Sequence, residues 1–201
     1  MARRRREDLA AAAVGPVILV ACGAAASSGE VGPAESTVFH AVNGLPDLLS
    51  PAMRGAQLLG VLAVGPITAA AAALTRRWHL AGAALLVTAG KLAGERIVWE
   101  LVQRARPGTT IPDAIVRGDT PTAGIAFVSG HVVLVTGLAW VVTPYLSGRW
   151  RALPWLVVAL VAFARMYLGA HAPLDVVGGA GLGLAIGGLA NLAAGVRDGR
   201  T

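Results

Sequence analysis

The chain has 201 residues, of which 55% are hydrophobic and only 14% are charged, and its mean hydropathy is +0.65. These values exclude an ordinary water-soluble domain and indicate a membrane protein. The formal net charge of +6 would suit a nucleic-acid-binding protein, but the basic residues lie in the termini and in short loops instead of one patch. We therefore predict no nucleic-acid partner.

Six apolar stretches are long enough to cross a bilayer, whose core of about 30 Å needs roughly 20 helical residues. In chain order they cover about 9–26, 57–74, 80–101, 129–146, 152–170 and 174–194. The sequence therefore predicts an all-α, polytopic membrane protein with six transmembrane helices, in which residues 1–201 form a single domain. Gly and Ala are frequent in the spans, as expected where helices pack closely.

Arginines mark one side of these spans. They are Arg3 to Arg6, Arg76 and Arg77, Arg149 and Arg151, and Arg197 and Arg200. The positive-inside rule makes these segments cytoplasmic, so both termini are predicted inside the cell and the protein in the plasma membrane. The outer side then holds 27–56, 102–128 and 171–173.

The first span has a second interpretation. Basic residues followed by an apolar run that ends at Cys22 also fit a cleavable signal peptide with a lipidated cysteine. We favour an uncleaved first helix, in which Cys22 is a small apolar residue. Because it is the only cysteine, the chain can form neither an intrachain disulfide nor a cysteine-based metal cluster.

The outer segment 34–50 reads as an amphipathic helix broken by Pro46. Such a helix could line an entrance for lipid, or it could cap the helix bundle. The sequence leaves both roles open.

Polar residues stand in apolar surroundings at the outer ends of the later spans. They are Arg106 with Pro107, Ser129 to His131, Arg165, His171 and Asp175. The predicted topology brings all of them to one membrane face, and an arginine inside a span is costly enough to indicate function. Their convergence is the main sign of a functional site.

Two features of this group suit an anion. Arg106 and Arg165 carry planar, permanently charged guanidinium groups that match phosphate or carboxylate oxygens. Ser129 and Gly130 begin a predicted helix, where a hydroxyl and free N–H groups can bind an anion. A simple helix N-cap would give the same sequence pattern.

His171 and Asp175 are four residues apart, with Pro173 between them suited to a first helical turn. At this spacing the carboxylate can accept a hydrogen bond from one imidazole nitrogen, leaving the other as nucleophile or base. A histidine–aspartate cap on a helix start is the alternative. With the arginines and His131, the set makes a phosphate site that holds an acid and a nucleophile.

In these residues the chain resembles the type 2 phosphatidic acid phosphatase (PAP2) superfamily, whose motifs are K-x6-R-P, P-S-G-H and S-R-x5-H-x3-D. The matches are Arg106-Pro107 in the first motif, Ser129-Gly130-His131 in the second, and Arg165, His171 and Asp175 in the third. The six-helix pattern is also similar to the membrane branch of that family.

The resemblance implies an integral-membrane lipid phosphate phosphatase that works without a metal or other cofactor. His171 would be the nucleophile that forms a phosphohistidine, Asp175 would orient it, and His131 would be the general acid. The phosphoryl oxygens would be held by Arg106, Arg165, Ser129 and the Gly130 N–H. The substrate would be a bilayer lipid such as a polyprenyl phosphate or diphosphate, phosphatidic acid, phosphatidylglycerophosphate, or a polyprenyl-linked sugar phosphate.

Three positions depart from the family motifs: Trp99 replaces the lysine, Val128 the proline and Ala164 the serine. The tryptophan is the most serious change, because it removes a charged phosphate ligand.

We predict that Arg104 substitutes for the missing lysine as a ligand, with Arg96 as a second candidate. Helical i,i+4 spacing predicts instead that Lys91 pairs with Glu95 and Arg96 with Glu100.

Other functions stay open. A lipid phosphotransferase on the same scaffold would pass the phosphoryl group to a hydroxyl other than water. A non-catalytic lipid-binding or transport protein would have lost the chemistry, as Trp99 hints, although both histidines and Asp175 argue against it. A haloperoxidase with the same motifs is disfavoured by the apolar composition.

Overall fold

The computed structural model describes residues 6–195, and apart from one isolated β-bridge the regular elements in that range are helices. They are α1 Arg6–Ala26, α2 Pro33–Asn43, α3 Ser50–Gln57, α4 Val64–Leu74, α5 Trp78–Leu101, α6 Pro107–Thr110, α7 Gly130–Val142, α8 Leu153–Tyr167 and α9 Pro173–Ala194. This confirms the predicted all-α class. Arg3 to Arg5, Arg197 and Arg200, which supported the predicted topology, lie outside the described residues.

Helix α9 forms the centre of the bundle because its glycines let two neighbouring helices approach closely. A Cβ added at Gly183 would lie 2.5 Å from the Val133 carbonyl oxygen on α7. On the opposite side, a Cβ at Gly188 would lie 2.6 Å from the Asp8 carbonyl oxygen on α1. Small residues therefore set the helix spacing, as expected for helices that pack within a membrane.

Helix α1 runs without interruption through Cys22, whose side chain is buried. Cys22 belongs to an apolar cluster with Val98 of α5 and with Phe127. The position therefore serves as a packed apolar site in this fold, as the favoured interpretation of the sequence expects.

Three helical stretches within residues 6–195 are long and apolar enough to cross a membrane: α1, Gly148–Tyr167 and α9. A bent pair, Asp47–Gly60 with Val64–Leu74, could form a fourth span. Helix α5 has 24 residues but carries several charged side chains, and α7 with its terminal turn is shorter than a full span. The count of six spans stays a prediction.

The stretch 57–74 is not the single straight helix that the sequence suggests. Helix α3 ends at Gln57, a 3-10 turn covers Leu58–Gly60, and α4 starts at Val64 with its axis bent by 61°. Pro66 explains the restart, because a residue without an N–H is tolerated only in the first turn of a helix. The break places Gln57 and Gly60 beside the candidate site.

The outer segment predicted at 34–50 contains α2 and a 3-10 turn after Pro46. Phe39 of α2 is buried against Ile111 and Ala172. The Asn43 side chain accepts from the Ile115 N–H at 2.8 Å and donates to the Tyr167 carbonyl at 3.0 Å. The segment therefore covers the chain just before α9, which matches the capping role of the two that the sequence left open.

Candidate active site

An antiparallel pairing in the long segment between α5 and α7 brings the first two motifs together. Ala105 forms a bridge with Ile125, and the Ala126 N–H donates to the Arg104 carbonyl at 2.7 Å. Val128, at the family proline position, is buried, and the Phe127–Val128 peptide bond is cis. The pairing sets Arg106 beside the residues that lead into α7.

The loop from α8 to α9 carries the third motif and is folded tightly. Gly169 has φ +76°, and a Cβ there would lie 2.5 Å from the Ile115 carbonyl oxygen, so the position requires glycine. The Arg165 carbonyl then accepts from the N–H groups of Ala170 at 3.0 Å and His171 at 3.3 Å. This turn carries the chain back from Arg165 to His171.

A second link joins the starts of α7 and α9. The Ser129 N–H donates to the Asp175 carbonyl at 2.9 Å. The second and third motifs are thus held together by backbone, independently of their side chains.

The His171 ring has one defined polar partner for its Nδ1 atom. Nδ1 lies 2.9 Å from the Ala126 carbonyl oxygen. A carbonyl only accepts hydrogen bonds, so in the neutral ring Nδ1 carries the proton and Nε2 keeps a lone pair. The ring is therefore in the tautomer in which Nε2 can act as a nucleophile.

Asp175 is not the hydrogen-bond partner of His171 that the four-residue spacing suggested. Its Oδ2 atom is 3.7 Å from Nδ1, which is beyond hydrogen-bond distance, and accepts instead from the Ala172 N–H at 2.8 Å. Because α9 begins at Pro173, Asp175 is the third residue of that helix and caps it. The carboxylate is still close enough to act on the ring electrostatically.

Burial lowers the pKa of His171 to about 4, and the positive charge of Arg165 acts in the same direction, while the Asp175 carboxylate partly opposes both. A buried imidazole loses the hydration that stabilises its cation, so the neutral form is favoured. At neutral pH the ring is uncharged and its Nε2 lone pair is free of a proton.

Several buried polar groups near His171 lack a hydrogen-bond partner within residues 6–195. They are the Ser129 hydroxyl and the Nε atoms of Arg104, Arg106 and Arg165. Ser129 is the residue before α7, yet its hydroxyl makes no capping bond, so the simple N-cap interpretation does not hold. Buried polar groups are normally paired, and a cluster that is not paired suits a bound anion.

The side chains of Arg106 and Arg165 are held by polar groups on other segments of the chain. Arg106 donates from Nη1 to the Ala170 carbonyl at 3.1 Å, and Arg165 donates from Nη1 to the Gln57 side-chain oxygen. Each guanidinium keeps other N–H groups for an anion, because five are available on every arginine. Gln57 therefore joins the break between α3 and α4 to the site.

His131 is the second residue of α7 and lies against the turn before α4. A Cβ added at Gly60 would approach the His131 Cβ to 2.8 Å, so the absence of a side chain at Gly60 makes room for His131. The charges that act on His131 include Arg165, Arg106, His171 and Lys91. The site residues predicted from the sequence thus converge, and Arg104 joins them through Asp175.

The Nη groups of Arg104, unlike those of Arg106 and Arg165, donate to carboxylates. The Arg104 side chain is fully buried and donates to both carboxylate oxygens of Glu35, at 2.5 and 3.0 Å, and to Oδ1 of Asp175 at 3.3 Å. Both Nη groups of Arg104 are therefore occupied by two carboxylates beside the nucleophile, while its Nε has no partner in the described residues. These contacts do not support the expected role of Arg104 as substitute for the family lysine, which stays a prediction.

At the family lysine position, the Trp99 Nε1 atom is buried and has no partner in the described part of the chain. The predicted pair of Lys91 and Glu95 is confirmed, with Nζ 2.5 Å from Oε2. A Cβ at Gly130 would clash with the Glu95 carboxylate, so this pair lies against the start of α7. Arg96 is exposed.

Three residues that contribute to the site were not predicted from the sequence. Glu35 and Gln57 carried weak signals, since Glu35 is a charged residue in the predicted amphipathic segment 34–50 and Gln57 is a polar residue at the start of the predicted span 57–74. Ala126 carried none, because it acts through its backbone carbonyl. Among the residues the structure describes, no group of three or more His, Cys, Asp or Glu side chains could hold a metal ion.

A family model described as the PAP2 superfamily matches residues 78–197, which is more than half of the chain. The chain belongs to the PAP2 superfamily. The matched residues include the three motifs, which confirms the resemblance seen in the sequence.

Curated relatives in this superfamily are the decaprenylphosphoryl-5-phosphoribose phosphatases of Mycobacterium tuberculosis strains CDC 1551 / Oshkosh and ATCC 25618 / H37Rv. Each is 34% identical over 161 residues, which cover 76% of this chain and 84% of the relative.

Two solved structures share the fold. The first transmembrane PAP2-type phosphatidylglycerolphosphate phosphatase from Bacillus subtilis superposes with a TM-score of 0.74 at 23% identity, covering 90% of this chain and 94% of the other. Aquifex aeolicus LpxE superposes with a TM-score of 0.66 at 22% identity, covering 77% and 92%. These neighbours show that the chain has the fold of PAP2-type proteins, and its long apolar helices indicate a membrane protein.

Proposed function

We propose that this PAP2 protein is a multi-pass lipid phosphate phosphatase that hydrolyses its substrate at the outer face of the plasma membrane, with His171 as nucleophile. The observation that carries the proposal is the hydrogen bond from His171 Nδ1 to the Ala126 carbonyl, 2.9 Å long. That bond leaves Nε2 unprotonated next to a cluster of unpaired buried donors.

In the first step, Nε2 of His171 attacks phosphorus and an N–P bond forms while the P–O bond to the lipid or sugar breaks. His131, as general acid, gives its proton to the departing oxygen. The imidazole gains positive charge, which the Ala126 carbonyl and the Asp175 carboxylate stabilise from the Nδ1 side. The product is a phosphohistidine on His171.

In the second step, a water molecule attacks the phosphohistidine from the position that the leaving group has vacated. His131, now a base, takes the proton of that water, so that the N–P bond breaks and phosphate leaves. His171 returns to its neutral state and His131 regains its proton. One water is consumed and one phosphate is released for each turnover.

Charge on the phosphoryl oxygens is stabilised by Arg106, Arg165, the Ser129 hydroxyl and the Gly130 N–H. Phosphoryl transfer depends mainly on positioning and on stabilising charge on the equatorial oxygens. The two guanidinium groups and the start of α7 would supply both. We accordingly expect activity without added metal.

The substrate that we propose is a membrane lipid carrying a terminal phosphate, with the polyprenyl-linked sugar phosphates as the leading class. The relatives named as decaprenylphosphoryl-5-phosphoribose phosphatases support this choice. An open cavity of about 380 Å³ is lined by residues 108–114, which follow Arg106 in the chain. Its threonine hydroxyls and the Asp113 carboxylate give it the polarity that a sugar next to the phosphate would need.

Phosphate release by detergent-purified protein tests the proposal. The panel contains decaprenylphosphoryl-5-phosphoribose, a polyprenyl phosphate, phosphatidic acid and phosphatidylglycerophosphate, each with chelator present. We expect release that His171→Gln abolishes and His79→Gln leaves intact, because His79 also bonds a carbonyl, that of Ala194, but at the far end of α5. The sugar-bearing lipid should have the lowest KM.

Three results would contradict the proposal. Release that requires added magnesium and stops with chelator would remove the metal-independent histidine mechanism. A folded wild-type protein that releases no phosphate from any lipid would favour the binding protein, and a new phosphate ester in place of free phosphate would favour the phosphotransferase.

A further inference from the structure

The carboxylate of Asp175 is held from two sides in a fully buried position. Oδ2 accepts from the Ala172 N–H at 2.8 Å, and Oδ1 accepts from Nη1 of Arg104 at 3.3 Å. The Asp175 and Arg104 side chains have no solvent exposure. Since Ala172 directly follows His171, any movement of the carboxylate would also move the backbone of the nucleophile.

A second carboxylate, that of Glu35, completes this arrangement from α2. Glu35 accepts from Nη1 and Nη2 of Arg104 at 3.0 and 2.5 Å, and its Oε1 also accepts from the Leu174 N–H at 2.9 Å. Leu174 is in the first turn of α9. Two carboxylates therefore take N–H groups at the start of α9, where the helix dipole favours negative charge.

The charges in this group do not cancel. One guanidinium bridges two carboxylates, so the three side chains together carry one net negative charge next to His171. If Asp175 were paired with Arg104 alone, the pair would be neutral and would stabilise the imidazolium less. Without the arginine, the two carboxylates would leave two negative charges next to His171. These charges would favour the protonated form of its ring.

We infer that Arg104 and Glu35 are positioning residues, which act through Asp175 to fix the orientation of His171 and the net charge beside it. The inference rests on the proposed function, in which His171 is the nucleophile. Neither residue touches the substrate. Arg104 thus positions the nucleophile instead of binding the phosphate. Helix α2 contributes to catalysis because it carries Glu35.

Other ionisable groups of this region interact electrostatically with Glu35, His171 or Arg106. They are Cys22 from α1, Glu95 from α5, Arg106 from the following segment, His131 from α7 and Arg165 from α8. All of them stay unchanged when Arg104 or Glu35 is replaced. A shift in the titration of His171 between such variants therefore reports on the Arg104 and Glu35 charges.

The test measures the reactivity of His171 directly. Diethylpyrocarbonate acylates neutral imidazole, and mass spectrometry gives the rate at His171 from pH 3.5 to 8 in the detergent-purified full chain. Wild type should reach half-maximal reactivity near pH 4, as expected from the pKa of His171. Phosphate release from decaprenylphosphoryl-5-phosphoribose is followed in parallel.

Arg104→Gln should move the half-maximum upward by about one pH unit or more, because two unpaired carboxylates favour the protonated ring. Its kcat should fall about 100-fold, with KM changed less than about threefold, as for other residues that support a reacting group. Adding Glu35→Gln to Arg104→Gln should bring the half-maximum back toward wild type, since it removes the excess negative charge. Arg104→Lys keeps the charge and should keep the wild-type profile.

Arg117→Gln is the matched control. Arg117 is also a buried arginine on the outer side, but it donates to the carbonyls of Asn43 and Tyr167 and to the Asp47 side chain, away from Asp175. It should lower stability without moving the His171 profile.

The inference is overturned if Arg104→Gln leaves the profile unchanged, if the double variant is no nearer to wild type, or if Arg117→Gln shifts the profile equally. If Arg104→Gln does not fold, the Glu35→Gln variant alone tests the inference. Because it removes one negative charge near His171, the pH of half-maximal acylation must fall. A wild type that hydrolyses no lipid refutes the proposed function, while the acylation profile still tests the positioning residues.

Discussion

Lowering the pH should destabilise the folded protein through His171, and the structure sets the size of the effect. Burial lowers the pKa of His171 from its ordinary value of 6.5 to about 4. Below pH 6.5 the unfolded chain therefore takes up a proton that the folded chain refuses. At about 1.4 kcal/mol for each pH unit, the folded state loses about 3 kcal/mol between pH 6.5 and pH 4.

The direction in which stability changes with pH follows from the lowered pKa of His171. Above pH 6.5 the ring is neutral in both states and His171 contributes no pH dependence. Stability is lost as pH falls toward the folded pKa, and below that value the loss is complete.

Thermal unfolding in detergent measures this loss, with His171→Gln as the reference. Glutamine cannot titrate, and its amide can donate to the Ala126 carbonyl that holds the imidazole. Between pH 7 and pH 4 the Tm of wild type should fall by about 10 °C more than that of the variant, taking roughly 3 °C for each kcal/mol in a chain of this size. The difference removes the contribution of every other titrating group.

Equal slopes for the two proteins would refute the reasoning. That result would mean that His171 is hydrated or already charged in the folded state. Its role as a neutral nucleophile would then lose its physical basis.

Three further changes test separate parts of the account. Ser129→Ala should leave Tm unchanged or raise it, because the hydroxyl is unpaired in the described structure. The same variant should lower phosphate release about 100-fold, because that hydroxyl is proposed to bind the phosphoryl group. The control Thr136→Val removes another buried hydroxyl that is unpaired in the described residues, and it should leave phosphate release intact. Gln57→Ala should raise KM about tenfold by freeing Arg165, whereas replacing the exposed Gln103 should not. Gly183→Ala should cost about 3 kcal/mol in thermal unfolding because its Cβ meets α7, while Gly82→Ala, with open space, should cost nothing.

The helices and the site could be predicted from sequence because both depend on local patterns. Apolar length gives the helices, and the order of the polar residues at their ends brings the motifs to one face. The bend at 61–63 was not predicted, because the apolar pattern continues through it. Gly60 and Pro66 were the local signals for a break, and hydropathy alone does not register them.

The role of Arg104 could not be predicted, because it depends on a partner far away in the chain. Glu35 is 69 residues earlier and reaches Arg104 only once α2 folds over the start of α9. Sequence spacing measures distance within a helix, and Arg104 lies in an extended segment. Its proximity to Arg106 therefore did not show where its side chain would bond.

Asp175 lies near the His171 ring, as predicted, but does not make the hydrogen bond to it that the sequence suggested. Four residues separate it from His171, but the helix begins between them at Pro173, so helical spacing does not apply to the pair. The carboxylate caps α9, and a backbone carbonyl takes its expected place at Nδ1. Backbone acceptors of this kind cannot be recognised from residue type.

Identification of a covalent phosphohistidine tests the central claim most directly. The His131→Gln variant is mixed with p-nitrophenyl phosphate, whose leaving group needs no acid, so that the intermediate forms and then persists without a base to activate water. The proposed mechanism predicts an acid-labile phosphate on Nε2 of His171, which is absent when His171→Gln is added. Phosphate on another residue, or a burst of p-nitrophenol with no phosphate on His171, would contradict it.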